Sequence, residues 1–108
     1  MLRGEVWWVS FSSTVGGEVQ KTRPAVIVSN DSANRHSNRV QVVPLTSNIT
    51  KFYPCDSHVS IEGKACRAMT DQLMTVSKHR LESKICKLNE VEVSDLELAM
   101  RVQLALTW

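Results

Sequence analysis

The chain has no Cys-x-x-Cys pair. Its three cysteines, Cys55, Cys66 and Cys86, are odd in number and separated by 10 and then 19 residues. That spacing argues against a disulfide framework and against a zinc nest, and reads as reduced thiols in a reducing compartment. His36, His58 and His79 have no His or Cys at helical or hairpin spacing, so each reads as a surface histidine rather than a ligand. No metal site and no cofactor is expected. Gly-x-Ser-x-Gly and the phosphate-cradling glycine loop are both missing, which removes the serine-hydrolase elbow and the nucleotide-binding loop. No apolar run approaches the roughly 20 residues of a membrane span, and the first residues lack the apolar core of a signal peptide. The expected location is the cytoplasm, with no membrane partner. There is no repeat, no low-complexity tract and no basic tail, and the net charge is only +2. Such a charge neither demands nor excludes nucleic acid.

What is present suits one domain over residues 1–108, with 43% apolar residues to build a core. Residues 4–11, rich in Val, Trp and Phe, read as a first strand with Val6, Trp8 and Ser10 on one face and Glu5, Trp7, Val9 and Phe11 on the other. A polar loop with a Gly pair follows to Lys21. Further strands are expected over 24–29, 39–46 and 58–61, and a Glu62-Gly63-Lys64 turn leads into a long strand, or two pieces, over 65–76. Asn30 or Asp31 starts a short helical turn, residues 77–81 form another, and a last strand runs to Leu88. Pro44 suggests a strand edge or a bulge. The C-terminal segment reads as a helix opened by a Ser94-Asp95-Leu96-Glu97 capping box. Leu98, Ala99, Val102, Ala105 and Leu106 form one stripe on it, and Leu96, Met100 and Leu104 an adjoining one. So wide an apolar arc covers a sheet face and leaves surface for a partner. The expected architecture is mainly β, a small antiparallel barrel with an appended helix.

The stretch from Lys21 to Asp31 organises the rest. Arg23 precedes a proline, then Ala25, Val26, Ile27 and Val28 form a strand buried on both faces, stopped by Ser29-Asn30-Asp31. Pro24 fits the first strand position, since it has no N–H for the ladder, and it holds Arg23 extended at the rim. If this strand and the next are antiparallel neighbours, Thr46 and Ser47 come to the same rim. A guanidinium beside a hydroxyl suits a phosphate. It is equally the make-up of an ordinary strand rim and turn.

The order Arg3-Gly4-Glu5-Val6-Trp7, Lys21 to Asp31, Val42-Val43-Pro44-Leu45-Thr46-Ser47 and Asp71-Gln72 resembles the MazF/PemK toxins of bacterial toxin–antitoxin systems, from Leu2 to about Leu106. The resemblance implies an SH3-like barrel that forms a homodimer and cuts single-stranded RNA (mRNA) at short sequences without a metal. It implies products with 2′,3′-cyclic phosphate and 5′-OH ends, and arrest of translation and growth. It further implies a MazE-like cognate antitoxin whose disordered tail fills the active groove, and operator DNA reached only through that antitoxin. On the family pattern Arg23 and Thr46 are the catalytic pair and Glu18 is the loop carboxylate, a candidate base. RNA contacts are expected from Gln20, Lys21, Thr22, Ser47, Asn48, Tyr53, Arg67, Asp71 and Gln72. Asp71 and Gln72 would read base edges and Tyr53 would stack a base, while Phe52 either stacks or packs in the core. Where some relatives carry a second Arg, this chain has Met69, with Arg67 two residues earlier as a possible substitute; Gly17 stands where some have a His. The rival reading is a non-enzymatic gyrase poison of the CcdB type, with Trp108 as a terminal contact.

Overall fold

Val-, Ile- and Trp-rich segments pair side by side because their alternate residues need two dry faces. The computed structural model describes residues 1–11 and 21–107. Among them are seven strands and two α-helices. These are β1 (Glu5–Phe11), β2 (Lys21–Ile27), α1 (Asp31–His36), β3 (Arg39–Thr46), β4 (Asp56–Ile61), β5 (Lys64–Met69), β6 (Met74–Ser77), β7 (Leu81–Lys87) and α2 (Glu90–Leu104). One-turn 3-10 helices cover Thr70–Gln72 and Lys78–Arg80. The sheet order is β4-β5-β3-β2-β1-β7, with β6 on β3, and every pairing is antiparallel. Cys66 of β5 and Ile85 of β7 come from far-apart places in that order yet line one cleft. The sheet is therefore curled into a half-barrel, as the mainly β reading requires.

The expected face assignment of β1 holds. Val6 packs in a cluster with Val26, Val43, Leu45 and Leu96. Val9 and Phe11 pack on the other side with Ala25, Ile27, Val40 and Val42. Each fully buried Val, Leu or Ile contributes roughly 1.5–3 kcal/mol, so these two clusters carry most of the stability.

Several details differ from expectation. β2 begins at Lys21 and ends at Ile27, so Pro24 is its fourth residue and Arg23 lies within it, opposite Val9. Proline is tolerated there because pairing with β3 starts only at Ala25. Up to Pro24 the strand has one neighbour, and the missing N–H leaves no gap on the β3 side. Pro44 is not on an edge: β3 is central, and Pro44 is buried where its outer neighbour changes from β6 (up to Val42) to β5 (from Leu45). The helix α2 does not start at Ser94. Asn89 is its N-cap, accepting from Glu92 N at 2.8 Å while the Glu92 carboxylate accepts from Asn89 N at 3.1 Å. Two capping boxes compete in the sequence, and tertiary contact selects the earlier one. Val93 packs on the core while Ser94 is exposed within the helix. The helix ends at Leu104, where Ala105 turns left-handed (φ 55°), so Ala105 and Leu106 do not continue its stripe.

Arg3 bolts the helix down. Its Nε donates to Val28 O at 2.9 Å and its Nη1 to Glu97 Oε2 at 2.8 Å. Gly4, at φ +90°, donates its N–H to Ile27 O at 2.8 Å and accepts from Leu88 N at 2.9 Å. A side chain there would be strained in that left-handed conformation and would lie 3.5 Å from Val93 Cγ2. The Arg3-Gly4-Glu5 run thus joins β2, β7 and α2.

Candidate active site

A cleft of about 440 Å³ opens at the end of β2 and β3. Arg23, Thr46 and Ser47 line it, with Trp8, Pro24 and Leu45 among its walls. The β2–β3 ladder pairs Ile27 with Val42, Val26 with Val43 and Ala25 with Pro44, and the same register carried outward pairs position 23 with position 46. Arg23 and Thr46 are therefore opposite one another two residues beyond the last paired position. Strand alternation puts them on the face away from Trp8, Pro24 and Leu45, so they reach the cleft from its edge.

The two groups are chemically available. The Arg23 side chain has no hydrogen-bond or ion-pair partner among the described residues, and the residue is half-buried. The Thr46 hydroxyl accepts from Asn48 N at 3.2 Å, which leaves its own O–H to donate. Trp8, 41% exposed, adds an aromatic surface that the sequence reading did not single out. Cys66 also lines the cleft, but burial pushes its thiol up despite Lys64 nearby, so it stands as a neutral thiol.

A second group adjoins the first. Thr46 pairs on its other side with Arg67 of β5, and Arg67 pairs with His58 of β4. Directly paired residues project from the same face, so Arg23, Thr46, Arg67 and His58 form one row across four strands. Arg67 Nη1 binds Asp56 Oδ2 at 3.0 Å, and its guanidinium lies 5.7 Å from the centre of the Tyr53 ring. Asp56, buried, also accepts from Tyr53 N at 2.8 Å and donates its own N–H to Tyr53 O at 2.9 Å. It therefore pins the end of the 47–55 loop to Arg67. The buried Arg67 Nε has no hydrogen-bond partner among the described residues.

Asp71 belongs to this second group. Ligand atoms of Cys55, Asp56 and Asp71 lie within 4.8 Å of one another, and Thr70 Oγ1 donates to Cys55 O. Asp56 is already committed to Arg67. Burial, then Asp56, then Asp71 push the Cys55 thiol up, which disfavours the thiolate a metal would need. Gln72 is half-buried, its Nε2 4.0 Å from Met69 Sδ.

The predicted residues thus separate into two sets. Arg23, Thr46 and Ser47 share the cleft, with Lys21 and Thr22 exposed just before Arg23 on β2 and Asn48 exposed just after Ser47. Tyr53, Arg67 and Asp71 gather around Asp56, and Thr46 joins the sets through its pairing with Arg67. Glu18, Gln20, Gly17 and Trp108 lie outside the described residues. Phe52 does not pack in the core: it is 48% exposed. Met69, at the position of the family's second Arg, is buried. Sequence reading missed Asp56. A buried carboxylate needs a partner, and only the β4–β5 register supplies Arg67; no local signal carries that register.

Comparison with known proteins follows the same outline. Residues 2–104 match the family model described as PemK-like, MazF-like toxin of type II toxin–antitoxin system. The chain is 36% identical over 115 residues to endoribonuclease MazF9 of Mycobacterium tuberculosis, covering 98% of each chain. Its fold is similar to that of an endoribonuclease solved with its cognate antitoxin from a mycobacterial species (TM-score 0.84, 23% identity, 100% and 98% of the two chains). It is also similar to MazF from Deinococcus radiodurans (TM-score 0.85, 19% identity, 98% and 97%).

Proposed function

The chain belongs to the PemK-like, MazF-like toxins of type II toxin–antitoxin systems, and from that premise we propose that it is a metal-independent endoribonuclease acting on single-stranded RNA. The single observation that carries the reading is the Arg23 guanidinium, without a partner among the described residues and opposite Thr46 at the edge of an open cleft. In the proposed step the ribose 2′-oxygen attacks the adjacent phosphorus and the bond to the 5′-oxygen breaks. The 2′-OH proton passes to a base, and the departing 5′-oxygen takes one up. The products are a 2′,3′-cyclic phosphate and a 5′-OH.

Arg23 stabilises the extra negative charge on the phosphorane oxygens, with a fork that matches two of them. Thr46 donates to a phosphate oxygen. Glu18, assigned by resemblance, is the candidate base. Lys21, Thr22, Gln20, Ser47 and Asn48 flank the scissile phosphate, Tyr53 stacks a base, and Asp71 and Gln72 read base edges. A MazE-like antitoxin competes for the same cleft, the chain acts as a homodimer, and cleavage of mRNA halts translation and growth.

The test is incubation of the purified chain with RNA in the presence of a chelator. Arg23→Ala should lower cleavage roughly 10²–10³-fold or more, the cost of removing one charge-stabilising group, without changing the circular dichroism. A substrate with one deoxyribose at the scissile position should resist cutting. Undiminished cleavage by Arg23→Ala would overturn the assignment. A native chain that cuts no RNA but inhibits gyrase would favour the CcdB-type alternative.

A further inference from the structure

The row that runs from Arg23 through Thr46 to Arg67 does not stop there. His58 is the next residue along it, on β4. The Phe52 ring lies flat against the His58 ring, with centroids 4.1 Å apart and planes within 8°. Phe52 is 48% exposed and His58 is exposed, so this stack is not part of the core. Two consecutive loop residues therefore meet two neighbouring members of the row: Tyr53 meets Arg67 and Phe52 meets His58. The row covers three strand intervals from Arg23 to His58, about 14 Å.

Beside the Phe52–His58 stack lies a groove of about 290 Å³, bounded on the far side by Leu98 and Val102 of α2. The α2 wall presents Leu98, Ala99 and Val102 beside the Asp95 carboxylate and the other wall carries an imidazole, so the groove offers apolar surface for the flat face of a nucleobase and polar groups for its edge. Lys51, exposed, precedes the two rings and adds charge for a phosphate backbone. We propose that Phe52, backed by His58, is a second base platform for single-stranded RNA, one step further from the scissile phosphate than Tyr53. The proposal rests on the ribonuclease reading above. The loop end that carries both rings is held by Asp56 through Tyr53 and Arg67, so the platforms are set before RNA arrives. Pre-set surfaces lose less entropy on binding.

The test starts from the cut site mapped with the native chain. RNAs with a single deoxyribose at the scissile position are extended one nucleotide at a time on each side, and their affinities are read by fluorescence anisotropy. The native chain should tighten about tenfold when the second nucleotide is added on one side, the size of one base-on-aromatic stack. In Phe52→Ala that step should vanish. In Phe52→Trp it should remain, and in His58→Ala it should shrink because the ring loses its backing. Phe52→Ala removes an exposed ring, so folding should be retained, with circular dichroism as the control. If the step persists in Phe52→Ala while the chain still cuts the ribose substrate, the platform falls and the ribonuclease reading stands. If the native chain cuts no RNA, both fall. If Phe52→Ala leaves the step intact but alters sedimentation, the ring belongs to a protein contact and the platform is again overturned.

Discussion

Replacing Glu5 with Gln probes the junction that holds β1 to β7 behind the cleft. Glu5 is 5% exposed, and burial alone would push its carboxyl up. Three contacts outweigh that. Trp7 Nε1 donates to Oε1 at 2.9 Å, Leu2 N donates to Oε1 at 3.1 Å, and Lys84 Nζ lies 3.2 Å from Oε2. Together they hold the carboxyl at about 2 against an ordinary 4.5. That difference is worth roughly 3 kcal/mol of stability. The folded value is depressed, so the stability is fully present above the unfolded value near 4.5 and is lost as pH falls toward about 2. Urea unfolding of the native chain and of Glu5→Gln at a series of pH values reads it directly. The native chain should be about 3 kcal/mol more stable at pH 7, and the gap should narrow steadily below about pH 5. Two curves that stay parallel down to pH 3 would refute the reasoning, because the carboxylate would then not be held by these contacts. Trp7 and Lys84 are also paired residues of the β1–β7 ladder. Loss of the carboxylate should therefore loosen the wall that Trp8 and Ile85 give the cleft.

Asp56→Ala should cost about 3–5 kcal/mol in chemical denaturation, since it leaves Arg67 buried without its ion-pair partner; the Asp56→Ala/Arg67→Met double variant should recover part of that loss, and an additive loss would count against a coupled pair. Asn89→Ala should lower stability by about 1 kcal/mol, as removal of an N-cap does, whereas Ser94→Ala should stay within about 0.5 kcal/mol as an exposed substitution; thermal unfolding with the opposite ranking would return the helix start to Ser94.

Much of the fold was legible because it is local. β1 and β3 announce themselves by composition and alternation, and Asn30 starts α1 as its side chain allows, accepting from Ala33 N at 2.8 Å. The apolar arc of α2 was read correctly in kind: Leu96 and Ala99 are buried while Leu98 and Val102 are more than half exposed. Its start was misread because Asn89-x-x-Glu92 and Ser94-x-x-Glu97 are both sound caps, and tertiary contacts, the packing of Val93 and the bond from Ser60 N to Glu92, distinguish them. Phe52 could not be assigned from sequence, since its partner His58 lies across a turn and the stack is set by the path of the chain around Asp56.

By itself the sequence determined which residues have the chemistry. A lone guanidinium before a proline, a Thr-Ser pair after a valine run and the order of four short motifs were enough to expect a phosphate site and a family. The tertiary structure decided which of them lie together. The antiparallel β2–β3 register sets Arg23 opposite Thr46, and the β3–β5–β4 register continues that row to Arg67 and His58. Side-chain alternation along a strand is local and can be read from the chain. Register between strands is a choice among long-range pairings, made by the burial of whole faces at once, and no short stretch of sequence contains it.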